Sequence, residues 1–119
     1  MQSVLIRFLS IEETQAAAVI ARRAMRTVPC FQEELHTPDE DRAFWRDHVF
    51  SSCKILGAYD GNRLLGQVAL ATGWIHHLHV DPDWQGKGIG STLLRATQER
   101  LDDIQLWTFQ ANAGARRFY

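Results

Sequence analysis

Three glycines on alternate positions, Gly86, Gly88 and Gly90, stand between a strand-like run that ends at Val80 and a helix-like run that begins near Gly88. A chain that passes from strand to helix through such a loop must pack helices on a sheet, which points to a mixed α/β class rather than a bundle or a sandwich. The same loop has a chemical consequence. Without Cβ atoms, successive backbone N–H groups converge, and the unpaired amides of a helix N-terminus add the positive end of its dipole. Such a nest suits a pyrophosphate. Two phosphate loops fit it badly: a dinucleotide fingerprint needs glycine where Ser91 or Leu93 stands, and a P-loop needs Ser or Thr after Lys87, where Gly88 stands. A plain turn joining strand to helix is the other reading.

The rest of the chain supplies the layers. Val4 to Phe8 reads as a strand, and Ser10 with Glu13 reads as a capping box opening a helix with Ile11, Val19, Ile20, Met25 and Val28 on one face, ending near Pro29. Thr37-Pro38 starts a second helix that carries Phe44, Trp45 and Val49. Lys54–Tyr59 and Arg63–Thr72 form a hairpin through Asp60-Gly61-Asn62, where Gly61 and Asn62 tolerate positive φ. Trp74–Val80 is the next strand. A helix from about Gly88 to Asp102 then aligns Ile89, Leu93, Thr97 and Leu101, before a strand at Gln105–Phe109 and a helix from Ala113. The expected order is β-α-α-β-β-β-α-β-α in one domain over residues 1–119. At 119 residues and 45% hydrophobic, the chain suits a single core.

Charge and composition narrow the partners. A net charge of -1 argues against nucleic acid, and no apolar stretch approaches the ~20 residues that span a bilayer. The absence of a secretory pattern and two isolated cysteines, Cys30 and Cys53, fit a reducing cytoplasmic compartment.

Gln85-Gly86-Lys87-Gly88-Ile89-Gly90 fits Q/R-x-x-G-x-G/A, and with the flanking LHVDP and STLL it resembles the acyl-CoA pyrophosphate loop of the GNAT family of N-acetyltransferases. Asn112 to Tyr119 resembles that family's N-x-x-A-x-x-F-Y segment, and the element order is similar to its fold. In the family the F-Y pair is followed by two further strands, so the resemblance implies a domain lacking its C-terminal strand pair.

The resemblance implies direct transfer of an acetyl group from acetyl-CoA to an amine in a ternary complex. The amides from Gln85 through Gly86, Lys87, Gly88, Ile89 and Gly90 to Ser91 would hold the pyrophosphate. Leu78, His79 and Val80 would pair with the pantetheine arm, with the Val80 N–H polarising the thioester carbonyl. Asn112 would bond the same arm, or serve as an N-cap before Ala113, two compatible roles. Tyr119 matches the family's general acid; a phenol of pKa ~10 stays protonated at neutral pH and can donate to a departing thiolate.

Strand alternation groups His76 with Leu78 and Val80, and His77 with His79. Some family members use histidines on this strand as base, directly or through water; His76 matches that placement first and His77 second, while ordinary half-buried histidines are the plain reading. His77 and His79 share a face but show no third ligand at a fixed spacing, so no metal site is expected. Glu33, Glu34, Asp39, Glu40 and Asp41 lie where the family's acceptor site is lined; they attract a cationic amine or form a solvated helix start. Of the adjacent Arg116 and Arg117, one at most faces the cofactor phosphates. A different reading is a non-catalytic acyl-CoA-binding module. If strand five lacks its neighbour, the edge bearing Leu106, Trp107 and Phe109 invites pairing with a second copy.

Overall fold

The computed structural model describes residues 4–27, 36–71 and 74–100. Its elements run β1 (Leu5–Phe8), α1 (Thr14–Met25), α2 (Pro38–Phe44), a π-helical turn (Trp45–Val49), α3 (Phe50–Ser52), β2 (Lys54–Asp60), β3 (Arg63–Ala71), β4 (Trp74–Val80), a 3-10 turn (Pro82–Trp84) and α4 (Ile89–Arg100). The four strands form one antiparallel sheet in the order β1-β2-β3-β4. The expected order holds through α4. The fifth strand, its edge and the last helix lie outside the described residues, as does the segment with Glu33 and Glu34.

The sheet is covered on both faces, and the two central strands show why. Ile55–Tyr59 and Leu64–Leu70 are buried at every position, as expected of strands with helices on either side rather than one wet face. Ile55, Tyr59, Leu64 and Ala69 pack with α1, Trp45 and Val49; Leu56, Ala58, Leu65, Val68 and Leu70 pack with Ile89, Leu93 and Ala96 of α4. Thr97 of α4 is also fully buried, so Ile89, Leu93 and Thr97 share the expected face, while Leu101 lies outside the described residues.

Three local expectations are corrected. α1 buries Thr14, Ala17, Ala18, Ile20, Ala21 and Ala24, whereas Ile11, Val19 and Met25 are exposed. Small side chains let the helix axis approach the sheet closely, and that contact outweighs the burial of three larger residues. The Ser10 signal is half a capping box: the Glu13 carboxylate accepts the Ser10 N–H at 2.8 Å, but the Ser10 hydroxyl donates to the same carboxylate. A turn intervenes, and α1 starts at Thr14. In the hairpin only Gly61 takes positive φ, at 60°; Asn62 does not, the pattern of a type II′ turn rather than type I′. The Thr37 capping box forms in full, with Glu40 reaching the Thr37 N–H at 2.7 Å and Pro38 in the first turn.

Candidate functional site

The outer edge of β4 is set by register. The Asp81 N–H donates to the Leu65 carbonyl at 2.8 Å. Antiparallel pairs alternate between hydrogen-bonded and non-bonded. With Gly66 opposite Val80, Gln67 opposite His79 and Val68 opposite Leu78, the backbone of His79 bonds to β3, and the N–H and C=O groups of Leu78 and Val80 point away from it. Among the described residues no strand pairs with that edge. The Val80 carbonyl there accepts a bond from Gln85 Nε2 at 3.1 Å, which ties the following loop to the strand end.

The loop itself is a cradle. Gly86 and Gly88 adopt φ of 78° and 84°, and a Cβ at either would meet nothing within 4 Å. Any other residue would be strained there, yet the space is open, which suits backbone amides presented to a ligand. α4 begins immediately afterwards, with the Thr92 N–H on the Gly88 carbonyl at 2.9 Å. Upstream, Asp81 is 3% exposed and clamps the entry. It accepts the Asp83 N–H at 3.0 Å and Arg23 of α1 at 3.0 Å, while Arg23 also reaches Asp83 at 3.1 Å. Leu78, His79, Val80 and the loop line a cavity of about 560 Å³, closed by Ala24, Met25 and Trp84.

A second cavity, of about 610 Å³, opens between α1 and the α2 region. Met25 and His79 line both cavities, so the two meet at that pair. The π-helical turn shapes the second one: the Phe50 N–H bonds back five residues to the Trp45 carbonyl. Phe44, Trp45 and His48 line this cavity with His77 and His79. Ring centroids lie 5.0 Å apart for Trp45 and His77, 5.9 Å for Phe44 and His77, and 5.9 Å for His77 and His79. Burial pushes the His79 imidazole down to about 4, with His77 adding to the shift, and burial lowers His77 in the same direction, with His76 adding to it. Both rings are therefore held neutral at pH 7, and burial makes the protonated form costly, most of all for His79.

A description of the Acetyltransferase (GNAT) family matches residues 21–119. The chain belongs to the GNAT acetyltransferase family. It is similar to a mycothiol acetyltransferase from Kytococcus sedentarius, with 34% identity over 111 residues; the match covers 92% of this chain and 35% of that relative. Among solved structures, the fold resembles a GNAT acetyltransferase from Brucella melitensis in complex with acetyl-CoA (TM-score 0.65, 20% identity, covering 84% of this chain and 69% of that one). It also resembles the PaiA N-acetyltransferase from Thermoplasma acidophilum in complex with coenzyme A (TM-score 0.63, 21% identity, 83% and 72%).

Within this GNAT domain the residues named from sequence fall into four groups. Leu78, His79, Val80, Gln85, Gly86, Gly88, Ile89, Gly90 and Ser91 come together around one cavity, with Lys87 exposed in the loop outside its lining. His77 lines the other cavity, but His76 lines neither. β4 bulges there: Ala69 pairs with His77 and Leu70 with Ile75, so His76 is the extra, exposed residue and Ile75 joins the face of Leu78. Strict alternation does not survive the bulge. Asn112, Arg116, Arg117 and Tyr119 lie outside the described residues. Glu40 and Asp41 line the second cavity, whereas Asp39 is paired with Arg42 and does not. Sequence reading missed the double placement of His79, the π-helical turn and the Asp81 clamp. An Asp before Pro82 was visible as a turn signal; its arginine partner on α1, far away in sequence, was not.

Proposed function

We propose that this GNAT domain transfers an acetyl group from acetyl-CoA to a primary amine, both bound at once. The observation that carries the reading is the meeting of two cavities at His79 and Met25, one built on the glycine loop and the other on neutral imidazoles. The residues present suit the co-substrate: an open cradle of positive-φ glycines at a helix start for the pyrophosphate, and a strand edge that no described strand pairs with for the amide-bearing arm. Acetyl-CoA, when bound, supplies the acetyl thioester: a C–N bond forms to the amine, the C–S bond breaks, and the ammonium form of the acceptor yields amide, thiol and one released proton.

The chain's own groups divide that work. Leu78, through its outward N–H and C=O, and Val80, through its N–H, would hold the arm, the Val80 carbonyl being taken by Gln85, and the Val80 N–H would donate to the thioester carbonyl where negative charge develops. His77, the less strongly shifted of the two neutral rings, takes the proton that the acceptor nitrogen releases as it attacks, and His79 lines the junction beside it. Geometry favours these two over His76. Tyr119 as acid and Asn112 on the arm complete the scheme by family resemblance. Cys53 is a half-buried free thiol, and Cys30 lies outside the described residues.

The test is calorimetry with acetyl-CoA followed by a thiol-release assay over a panel of amines. Binding with turnover is expected. Gly88→Trp should abolish binding, because a non-glycine residue is strained at φ 84° and the indole would occupy the cradle. Unchanged affinity in that variant would remove the loop from the site. Tight binding with no thiol release on any amine would instead identify an acyl-CoA-binding module.

A further inference from the structure

Met25 is the last residue of α1, 37% exposed, and it lines both cavities. The other α1 residues on these walls are Ala21 and Arg22 in the larger cavity and Ala24 in the loop cavity. The two alanines end at Cβ. Arg22 is held elsewhere, donating to the Asp41 carboxylate at 2.7 Å and to the His36 carbonyl at 2.9 Å. Among the described residues of α1, Met25 alone brings a long apolar chain to the passage between the cavities. Its counterpart on β4 is His79, a ring set beside Trp45 with centroids 6.0 Å apart. An unbranched thioether adapts its shape to fill such a gap.

The same passage is where an acyl group belongs, an argument that rests on the acetyltransferase reading. At the carbon under attack, sulfur leads back to the loop cavity and the incoming nitrogen leads to the larger one. The oxygen turns to the Val80 N–H on the strand edge. One direction remains for the alkyl substituent, and the wall left to meet it is the end of α1. An acetyl methyl needs only a shallow space there. Each further methylene needs room that the methionine side chain fills, and overfilling a packed wall is costly.

We propose that Met25 sets the length of the acyl group that this domain carries, admitting acetyl and excluding butyryl and longer chains. The alkyl end of the acyl group packs against the thioether, and the side chain acts as a stop. Truncating it to a methyl group opens space of about two methylenes.

The experiment uses the full chain with coenzyme A, acetyl-CoA and butyryl-CoA. Calorimetry without amine reads binding apart from chemistry, and thiol release over spermidine, glucosamine and 2-phenylethylamine reads turnover. The wild type is expected to bind butyryl-CoA several-fold more weakly than acetyl-CoA. In Met25→Ala the butyryl-to-acetyl affinity ratio is expected to rise roughly tenfold, the size of burying two further methylenes. Met25→Leu, of similar bulk, should keep the wild-type ratio. The position is at the exposed end of α1, so both variants should fold, as unfolding midpoints will check. Equal wild-type affinity for the two acyl-CoAs, or an unchanged ratio in Met25→Ala, would overturn the proposal. The expected ratio shift without thiol release on any amine would uphold the role of Met25 and defeat the acetyltransferase reading. Turnover of acetyl-CoA with an unchanged ratio would do the reverse, and no binding even of coenzyme A would sink both.

Discussion

A methyl group on Gly66 would lie 2.9 Å from the His79 carbonyl oxygen, 3.3 Å from Val80 Cα and 3.2 Å from a methyl of Ile89. Two of those neighbours are backbone of the strand that carries the site, and the third is the first residue of α4. Gly57 differs, since a Cβ there would meet only side chains. Gly66→Ala is accordingly expected to cost roughly 1–3 kcal/mol of stability and to weaken acetyl-CoA binding, read by chemical unfolding and calorimetry. A variant with normal affinity would show that this close approach does not position the site. Sequence reading passed over Gly66 because an isolated glycine within a strand signals only a bulge or a close approach, without naming the neighbour. Gln67 was equally silent: it is fully buried and donates to the Ala17 carbonyl at 2.9 Å, a partner 50 positions away. Gly86 and Gly88 were legible, because spacing alone announces a loop that only glycine can follow.

At the scale of elements, α1 links the two cavities. Arg22 reaches the His36 carbonyl at 2.9 Å and Asp41 at 2.7 Å beside the larger cavity, and the adjacent Arg23 holds Asp81 and Asp83 at the loop entry. Neighbouring side chains on a helix diverge by about a quarter turn, which sends Arg22 to the wall of the larger cavity and Arg23 to the loop entry. Removing Asp81 leaves the Asp83 N–H and Arg23 without their shared acceptor. Asp81→Ala should therefore lose about 1–3 kcal/mol and show a larger loss in acetyl-CoA affinity than in amine affinity, measured by calorimetry with each ligand. Equal losses would mean that the clamp supports the whole domain rather than the loop. The helix itself and Ile20 on its buried face were legible, but the rest of that face was not. Ile11, Val19 and Met25 outweighed alanine in a hydrophobicity count, while the sheet selected the alanines at 17, 18, 21 and 24 for their size.

The molecule as a whole carries a predictable acid response. His79 binds a proton near 6.5 when unfolded but near 4 when folded, so the unfolded state holds more protons between those values. Stability is thus complete above pH 6.5 and falls as the pH drops toward 4. Glu13, held at about 2 chiefly by Arg7, adds a second loss as the pH falls from 4.5 toward 2. Unfolding midpoints measured across this range should decline in both windows. His79→Gln should flatten the upper one down to the smaller share of His77, and Glu13→Gln the lower; an unchanged upper slope in His79→Gln would show that the ring is not held neutral. What the sequence by itself determined was the strand–loop–helix around Gly86 and Gly88, the hairpin at Gly61, the capped start of α2 and the family, since each rests on local backbone preference or a short spacing. Only the tertiary structure decided that β4 bulges at His76, that α1 buries its alanines, that Asp81 meets Arg23, and that His79 stands where two cavities join. These depend on contacts between positions tens of residues apart, where the favoured packing is chosen by shape and burial across the whole domain rather than by any local run.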